Sequence, residues 1–498
     1  MSLAILLDMA ASANPDRVAV VSGETRWTTA ELNRLADGGG GVVAESGAGS
    51  VAYIGTGGAM LPLLIFASAR ANRPLTPLNY RLSPGALREL MARLPDPMVI
   101  YDEEYADVAE TSGRATESKA FVEAANAAGA AAEFADPDDV AIVLFTSGTT
   151  NKPKAVELSH HNLTSYVTGT VEFDSADAQD AALICVPPYH IAGVSAALSN
   201  LYAGRKMVYL PKFDAAEWLR LANAEGVTSG TVVPTMLDRI VGELVRGAAA
   251  PSSLRNLAYG GSKVPLPLVR RALDLLPDVG FVNAYGLTET SSTIAVLTPE
   301  DHRDAHGSAD PDVKRRLGSV GRPVPGIELE IRAEDGKPLG HDEIGELFIR
   351  GEQVSGKYTD IGSVLDENGW FPTRDLAWLD TEGFLFINGR SDDTIIRGGE
   401  NIAPAELEDV LVEHPQVCDV AVVGVPDPEW GQIIVAVVVP ETDTAPDPEE
   451  LREYVRAALR GSRTPDRVVF RDQLPTSPTG KVLRRELAGE LSVAAGTS

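Results

Sequence analysis

Six small or amide-bearing residues stand in a row at Thr146–Asn151, within LFTSGTTNKPKAVELSHHN (Leu144–Asn162), and Lys152 and Lys154 follow at once. Small side chains let a backbone approach a ligand closely. Backbone N–H groups and hydroxyls then converge on it, and the two lysines add positive charge. A polyphosphate is the ligand class that uses all three. The spacing is not that of a Walker A loop, which needs G-x-x-x-x-G-K-[ST]. Four further segments carry complementary groups. NAYGLTET (Asn283–Thr290) sets an aromatic ring, a glycine, hydroxyls and the carboxylate of Glu289 in sequence. GWFPTRD (Gly369–Asp375) ends in a carboxylate. INGRSDDTIIRGGENIAPAELE (Ile387–Glu408) holds Arg390 and a Gly398-Gly399 pair, and PTSPTGKVLRREL (Pro475–Leu487) places Lys481 in a proline-flanked loop. Taken singly, Glu289, Asp375 and Lys481 are ordinary solvated groups and His190 of PPYHIAG is a core histidine; their meaning lies in the combination.

The elements that must position these groups alternate. VAVVSG, DVAIVLF, ALICVPP, KMVYL and TSGTVVP read as strands, each followed by a helical pattern such as TTAELNRLADG, HHNLTSYVTGT, GVSAALSNLYAG, AAEWLRLANAEG or TMLDRIVGELVRG. This predicts an α/β fold: a large N-terminal domain of parallel-type sheets covered by helices. From about residue 318, ELEIRA, GELFIRG and GFLFING are short strands separated by Asp-Gly, Asn-Gly and Glu-Gly turns, which predicts a β-rich subdomain over about 318–390. After Arg390 the pattern changes again. A helix at APAELEDVLVEH, strands at DVAVVGV and IIVAVVV, a helix at DPEELREYVRAAL and a strand at RVVF make a compact α+β unit of about 100 residues, so the expected domains are 1–390 and 391–498. The stretches Val122–Asp139 and Glu300–Arg316 read as low-complexity surface connectors, and cationic VLRRE (Val482–Glu486) as a solvated helix face.

The chain has 498 residues and a net charge of −28, which argues against a nucleic-acid or membrane-phosphate surface. It does not exclude a small anionic ligand, because a few cations and N–H groups cancel such a field locally. Two cysteines, Cys185 and Cys418, cannot build a disulfide framework or a thiolate zinc site; each reads as a small buried apolar residue in a reducing compartment. The opening MSLAILLDMAASANPDR reads as an amphipathic helix without a basic leader, and no apolar run approaches a membrane span. A cytoplasmic soluble protein is the expectation.

The five motifs, in this order and spacing from about Pro15 to Leu487, resemble those of the adenylate-forming superfamily: acyl-CoA synthetases, peptide-synthetase adenylation domains and luciferases. The closest resemblance is to fatty-acid–CoA ligases. It implies ATP-dependent conversion of an apolar carboxylic acid to acyl-AMP and pyrophosphate, then transfer to coenzyme A. The cofactors implied are ATP, Mg2+ and coenzyme A. Thr146, Ser147, Gly148, Thr149, Thr150 and Lys154 would wrap the outer phosphates, and Glu289 with Thr149 would hold Mg2+. Gly260, Gly261, Ser262, Asn283, Ala284, Tyr285, Gly286 and Thr288 would frame the adenine. Asp375, with Ile387 and Arg390, would hold the ribose. Lys481 would lie between the α-phosphate and the attacking carboxylate as the catalytic cation. The resemblance makes His190 an aromatic gate, with Ala192, Gly193 and Thr235 in the acyl pocket. Asp392 becomes the hinge of a C-terminal lid that exchanges Lys481 for Gly398, Gly399 and Glu400 at a coenzyme A tunnel.

Three positions depart from the family pattern: Asn151 and Ala155 replace glycines, and Arg374 makes TRD of the commoner TGD. None removes a ligand group; the expectation is an active site with, at most, lowered ATP affinity. The pocket segments HIAGVS, VVPTML and YGGSK are apolar or small, which favours an uncharged acid, a fatty acid or a carboxylated ring, with Lys263 facing solvent. Carrier-loading acyl-AMP ligases share the motifs, whereas a non-catalytic acyl- or nucleotide-binding protein would retain the fold but lose a catalytic group. The compact run between Gly326 and Gly351 favours coenzyme A over a carrier protein, and the intact Lys481, Glu289 and Asp375 favour an enzyme.

Overall fold

The computed structural model describes residues 1–498 apart from 132–134, 147–152, 443, 460, 478–480 and 496–498, together with the side chains at 462 and 493–495. Strand–helix alternation is resolved as two large sheets. In the nine-stranded sheet, Gly280–Leu287, Asn256–Gly260, Ser229–Val232, Ala181–Ile184, Lys206–Tyr209 and Val18–Ser22 run parallel in that spatial order. Antiparallel strands close it: Ser292–Leu297 and Arg322–Pro323 on one side, Thr25–Thr28 on the other. In the eight-stranded sheet, Val140–Thr146, Leu75–Pro77, Ser50–Ile54, Pro97–Tyr101 and Ala115–Glu117 are parallel neighbours. Lys154–Ser159 returns antiparallel to Val140–Thr146, which brings the two ends of the hydroxyl-rich segment together.

The β-rich subdomain is a four-stranded antiparallel sheet in the order Glu328–Arg332, Gly345–Arg350, Phe371–Leu379, Leu385–Arg390. It is not separate from the large sheets: its excursion Lys357–Tyr358 pairs with Lys154–Ser159, so the eight-stranded sheet ends on a strand from the subdomain. The small C-terminal domain packs helices Pro404–Leu411, Pro448–Ala458 and Arg484–Ala495 on a three-stranded sheet, Val417–Asp427, Gly431–Pro440 and Arg467–Phe470.

Several expectations are corrected. Val122–Asp139 is not all connector, since Ser118–Ala127 is a helix with Phe121 buried. Glu300–Arg316 contributes to the helices Pro299–Gly307, capped by Thr298, and Pro311–Arg315. Cys185 is buried, but Cys418 is exposed. The helix begun by the Thr28–Glu31 capping box does not stop at its first glycine but runs to Glu45 through Gly38–Gly41. Four glycines weaken a helix; here they admit a neighbour. A Cβ on Gly38 would overlap the Ala125 carbonyl, and one on Gly41 that of Gly129. Gly38→Ala is therefore expected to destabilise the protein by about 2 kcal/mol, because overpacking against backbone outweighs the ~1 kcal/mol helix-propensity gain. Gly85→Ala, in a helix but facing open space, is the control and should not lower the melting temperature.

Candidate active site

The strand Gly280–Leu287 lies inside the nine-stranded sheet, yet residues 282 to 289 are all only partly buried. A central strand with an open flank forms the wall of a cleft. The cleft opens at the carboxyl ends of the parallel strands, where ligands enter α/β sheets. Ile184 leads to His190, Val232 to Thr235, Gly260 to Ser262 and Leu287 to Glu289. Gly260 pairs with Ala284, and a side chain on it would collide with the Ala284 carbonyl. Gly261 takes φ 86°, which only glycine adopts freely. Among the described residues, Ser262 Oγ and His190 Nε2 are buried with no hydrogen-bond partner, as expected where a polar ligand belongs. Burial lowers His190 to about 4, so its ring is neutral at pH 7. Gly193 begins the following helix, Ile191–Ala203, with Ala192, against the Pro187 carbonyl. Thr235 is in the first turn of Pro234–Val245.

Tyr285 and Asp375 meet: the phenol donates to Asp375 Oδ2 at 2.5 Å. Asp375 is 5% exposed. Burial raises its carboxyl above the ordinary range, opposed by Arg390 and the Tyr285 hydrogen bond. Arg390 Nε lies 3.6 Å from Asp375 Oδ1 and is buried without a hydrogen bond, while Nη2 donates to the Thr373 carbonyl at 3.3 Å. Asp375 and Arg390 are direct cross-strand partners, with Ile387 further along the same strand facing Ala377. Asn283 donates to the Ser319 carbonyl at 3.1 Å, leaving its side-chain oxygen as an acceptor.

At the other end of the cleft, Thr288–Thr290 is a single 3-10 turn. Glu289 is held twice from the segment after the β-rich sheet's second strand: Tyr358 Oη donates to Glu289 Oε1 at 2.8 Å, and Ser355 N–H donates to the Glu289 carbonyl at 2.8 Å. Lys154 Nζ stands 5.5 Å from the Tyr358 ring centre. Thr146 Oγ donates to the Lys154 carbonyl at 3.5 Å; Ser147, Gly148, Thr149 and Thr150 fall outside the described residues. Tyr358 has no motif of its own in GKYTD, and only its pairing with Val156 reveals its place. The described residues contain no group of three or more His, Cys, Asp or Glu that could hold a metal unaided. One carboxylate with a free oxygen suits a hard cation whose other ligands come from phosphates.

Lys481 is brought to this cleft. Its N–H donates to Ser477 Oγ at 3.1 Å and its carbonyl accepts from Ser477 N–H at 2.7 Å. Its charge acts on Asp375 and is acted on by Arg390 and Asp393. Although solvent reaches the side chain, desolvation by the surrounding protein lowers its ammonium below the ordinary lysine value, with Arg390 adding to the effect. Gly398, Gly399 and Glu400 instead stay with the small domain: Gly398 N–H donates to the Trp430 carbonyl at 2.8 Å, and Arg463 stands 3.6 Å from Glu400. Asp392 is the middle residue of the 3-10 turn Ser391–Asp393, between the two.

Two charged residues behave otherwise than expected. Lys263 does not simply face solvent: it pairs with Asp409 of the small domain at 2.5 Å, and Arg270 lies 3.4 Å from Glu413 beside it. Arg484 is not part of a solvated face. It donates to Glu408 and, at 3.0 Å, to the Val422 carbonyl, tying two helices to the small sheet.

The sequence profile of the family described as AMP-binding enzyme matches residues 7–359, and that of the AMP-binding enzyme C-terminal domain matches 406–481. The chain is 35% identical over 489 residues to a feruloyl-CoA synthase of Amycolatopsis sp, covering 95% of this chain and 96% of that one. It is 31% identical to a fatty acid–[acyl-carrier-protein] ligase of Streptomyces coeruleorubidus, covering 88% and 86%. Among solved structures it resembles o-succinylbenzoate CoA synthetase (MenE) of Bacillus subtilis. With the acyl-adenylate OSB-AMP, the TM-score is 0.83 at 28% identity, covering 97% of each chain. With ATP and magnesium the TM-score is 0.82 at 28% identity, covering 97% and 98%.

Proposed function

This chain belongs to the AMP-binding enzyme family, as an adenylate-forming acid–thiol ligase that uses ATP, Mg2+ and coenzyme A, and we propose that its acid is uncharged and apolar, an aryl acid or a fatty acid. The single observation that carries the assignment of roles is the meeting in one cleft of Tyr285, Asp375 and Arg390 with Lys481 from the far end of the chain. A carboxylate oxygen attacks the α-phosphorus, the bond to the β-phosphate bridging oxygen breaks, and pyrophosphate leaves. Lys481 lies between the two anions and stabilises charge developing on the α-phosphate. The thiol sulfur then attacks the acyl carbonyl, AMP departs, and the thiol proton is lost to solvent.

Asp375 orients the ribose hydroxyls, Tyr285 flanks the adenine, and the Asn283 oxygen accepts from its amino group. Glu289, with Thr149, would hold Mg2+, which would supply charge neutralisation at the phosphates when bound. Neutral His190 gates the junction between acyl and thiol channels, lined on the acyl side by Ala192, Gly193 and Thr235. Residues 1–390 and 391–498 act as body and lid, pivoting at Asp392, and the lid presents Gly398, Gly399 and Glu400 for the second step. Similarity to feruloyl-CoA synthase supports an aryl acid. Similarity to a carrier-protein ligase favours carrier-bound phosphopantetheine as the second reading of the acceptor.

The test is pyrophosphate release with ATP over a panel of cinnamic, benzoic and straight-chain acids. It is run without thiol, with coenzyme A and with a phosphopantetheinylated carrier. Thioester with coenzyme A is expected; acyl-AMP that discharges only to the carrier would favour the second reading, and no release with any acid would refute adenylation of this substrate class.

A further inference from the structure

We propose that Arg484 is a positioning residue for adenylate formation: it fixes the place from which Lys481 reaches the cleft. The inference rests on the function proposed above. The segment that carries the lysine is held on both arms. Thr476 pairs antiparallel with Val482, and Leu483 N–H donates to the Pro475 carbonyl at 2.9 Å. Leu474 before it and Leu487 after it are buried in one apolar cluster of the small domain. The helix Arg484–Ala495 begins three residues after Lys481, so a tie at Arg484 is a tie at the root of the lysine arm.

That tie has a fixed direction. Val417–Asp427 is an edge strand of the small sheet, and two side chains take up the backbone of Val422 there. Val422 N–H donates to Glu408 Oε1 at 2.7 Å, and its carbonyl accepts from Arg484 Nη1 at 3.0 Å. Arg484 also bonds Glu408 twice, Nη1 to Oε1 and, at 2.9 Å, Nη2 to Oε2. Both side chains are sheltered, 24% and 12% exposed. A forked pair of this kind sets orientation as well as distance, and its closure on one strand residue fixes it along the sheet. The remaining nitrogen, Nε, stands 3.7 Å from Asp393 Oδ2. Asp393 follows Asp392 in the 3-10 turn Ser391–Asp393. A tie that served only to hold the small domain together would end at Glu408 and Val422; this one continues to the residue just past the proposed pivot. The lysine arm and the start of the lid are thereby joined through one guanidinium, so that Lys481 returns to one place each time the lid closes. The charge of Arg484 also reaches the Lys481 ammonium, where Asp393 opposes it.

The experiment compares Arg484→Gln, Arg484→Lys, Lys481→Ala and the double variant Lys481→Ala/Arg484→Lys with the wild-type chain. The measurements are thermal melting, pyrophosphate release with ATP and the most active acid of the panel above, and thioester yield from synthetic acyl-AMP and coenzyme A. Arg484→Gln should lower kcat for pyrophosphate release about thirtyfold, the order of loss that misplacing a reacting group by about an ångström brings, with KM for ATP and the second step within about threefold of wild type. That variant leaves Glu408 without its cation, so Arg484→Lys decides the matter should it melt early. Lysine keeps a charge opposite Glu408 but cannot fork to Val422 and Asp393; Arg484→Lys should melt close to wild type and still lose the first step. In the Lys481→Ala background, Arg484→Lys should change the residual pyrophosphate release less than about twofold, because nothing is left to position. Full adenylate formation in Arg484→Lys, equal loss of both half-reactions in it, or the same proportional loss with Lys481 already removed would overturn the inference. No pyrophosphate release by the wild-type chain, or normal release by Lys481→Ala, would instead remove the function on which the inference rests.

Discussion

Lys481→Ala is expected to slow acyl-adenylate formation about a thousandfold while leaving thioester formation from supplied acyl-AMP within a few-fold of wild type. Removing one donor aimed at charge that develops during reaction costs roughly a hundred- to a thousandfold, and here the donor also separates two anions that must touch. Lys481 is the tail residue whose charge is felt at Asp375 and which itself feels Arg390; no such demand exists when a thiol attacks the neutral acyl carbonyl of the adenylate. Pyrophosphate release measures the first step, and chromatographic thioester yield from synthetic acyl-AMP measures the second. Equal loss in both would exclude a lysine that serves only one half-reaction.

The same residue sets a pH dependence. The reactive form is the ammonium, and desolvation and Arg390 hold its pKa below that of a free lysine. Adenylate formation should therefore decline as pH rises through that lowered pKa, on a limb that begins earlier than ordinary lysine titration would predict. In Lys481→Arg, whose guanidinium stays charged, whatever activity remains should lose that limb.

Asp392→Pro is expected to produce the opposite fault: adenylate formation within a few-fold of wild type, but transfer to the thiol slowed about a hundredfold. Asp392 sits in the one-turn 3-10 segment joining the strand that ends at Arg390 to the strand Ile395–Arg397. Proline fixes φ near −65° and restricts the residue before it, so a pivot that must change its torsions between two steps is arrested. A burst of acyl-AMP equal to enzyme concentration, followed by slow thioester release, is the signature. A normal second step would remove Asp392 from the role of pivot.

Much of this architecture was legible because it repeats. Apolar strands followed by amphipathic helices carry a period, and the motif at Asn283–Thr290 follows the carboxyl end of a parallel strand, while Asp375 and Arg390 face each other across the antiparallel sheet of the β-rich subdomain. What lacked a period was missed. Tyr358 reaches Glu289 only because a two-residue strand crosses from one sheet to another. The helix through Gly38–Gly41 persists against local propensity because a second helix fills the space that side chains would need. Ala-rich Val122–Asp139 read as connector although alanine favours helix, and Ser118–Ala127 follows propensity, not apparent simplicity. Arg484 and Lys263 carried no signal at all, since a cation's partner more than a hundred residues away, or buried within its own domain, is fixed by tertiary packing alone.

Among the described residues, the pairs Lys263–Asp409 and Arg270–Glu413 join the large domain to the small C-terminal one, the proposed lid, through side chains that are all 41–58% exposed. Each contributes at most about 1 kcal/mol, and ordinary electrolyte weakens both. The bidentate Arg484–Glu408 tie inside the small domain is more sheltered. The lid should therefore travel as an intact body whose parking place is held by little more than a catch. Ionic strength then becomes a throttle on turnover, with salt releasing the parked position and moving the balance between the half-reactions before it disturbs either fold.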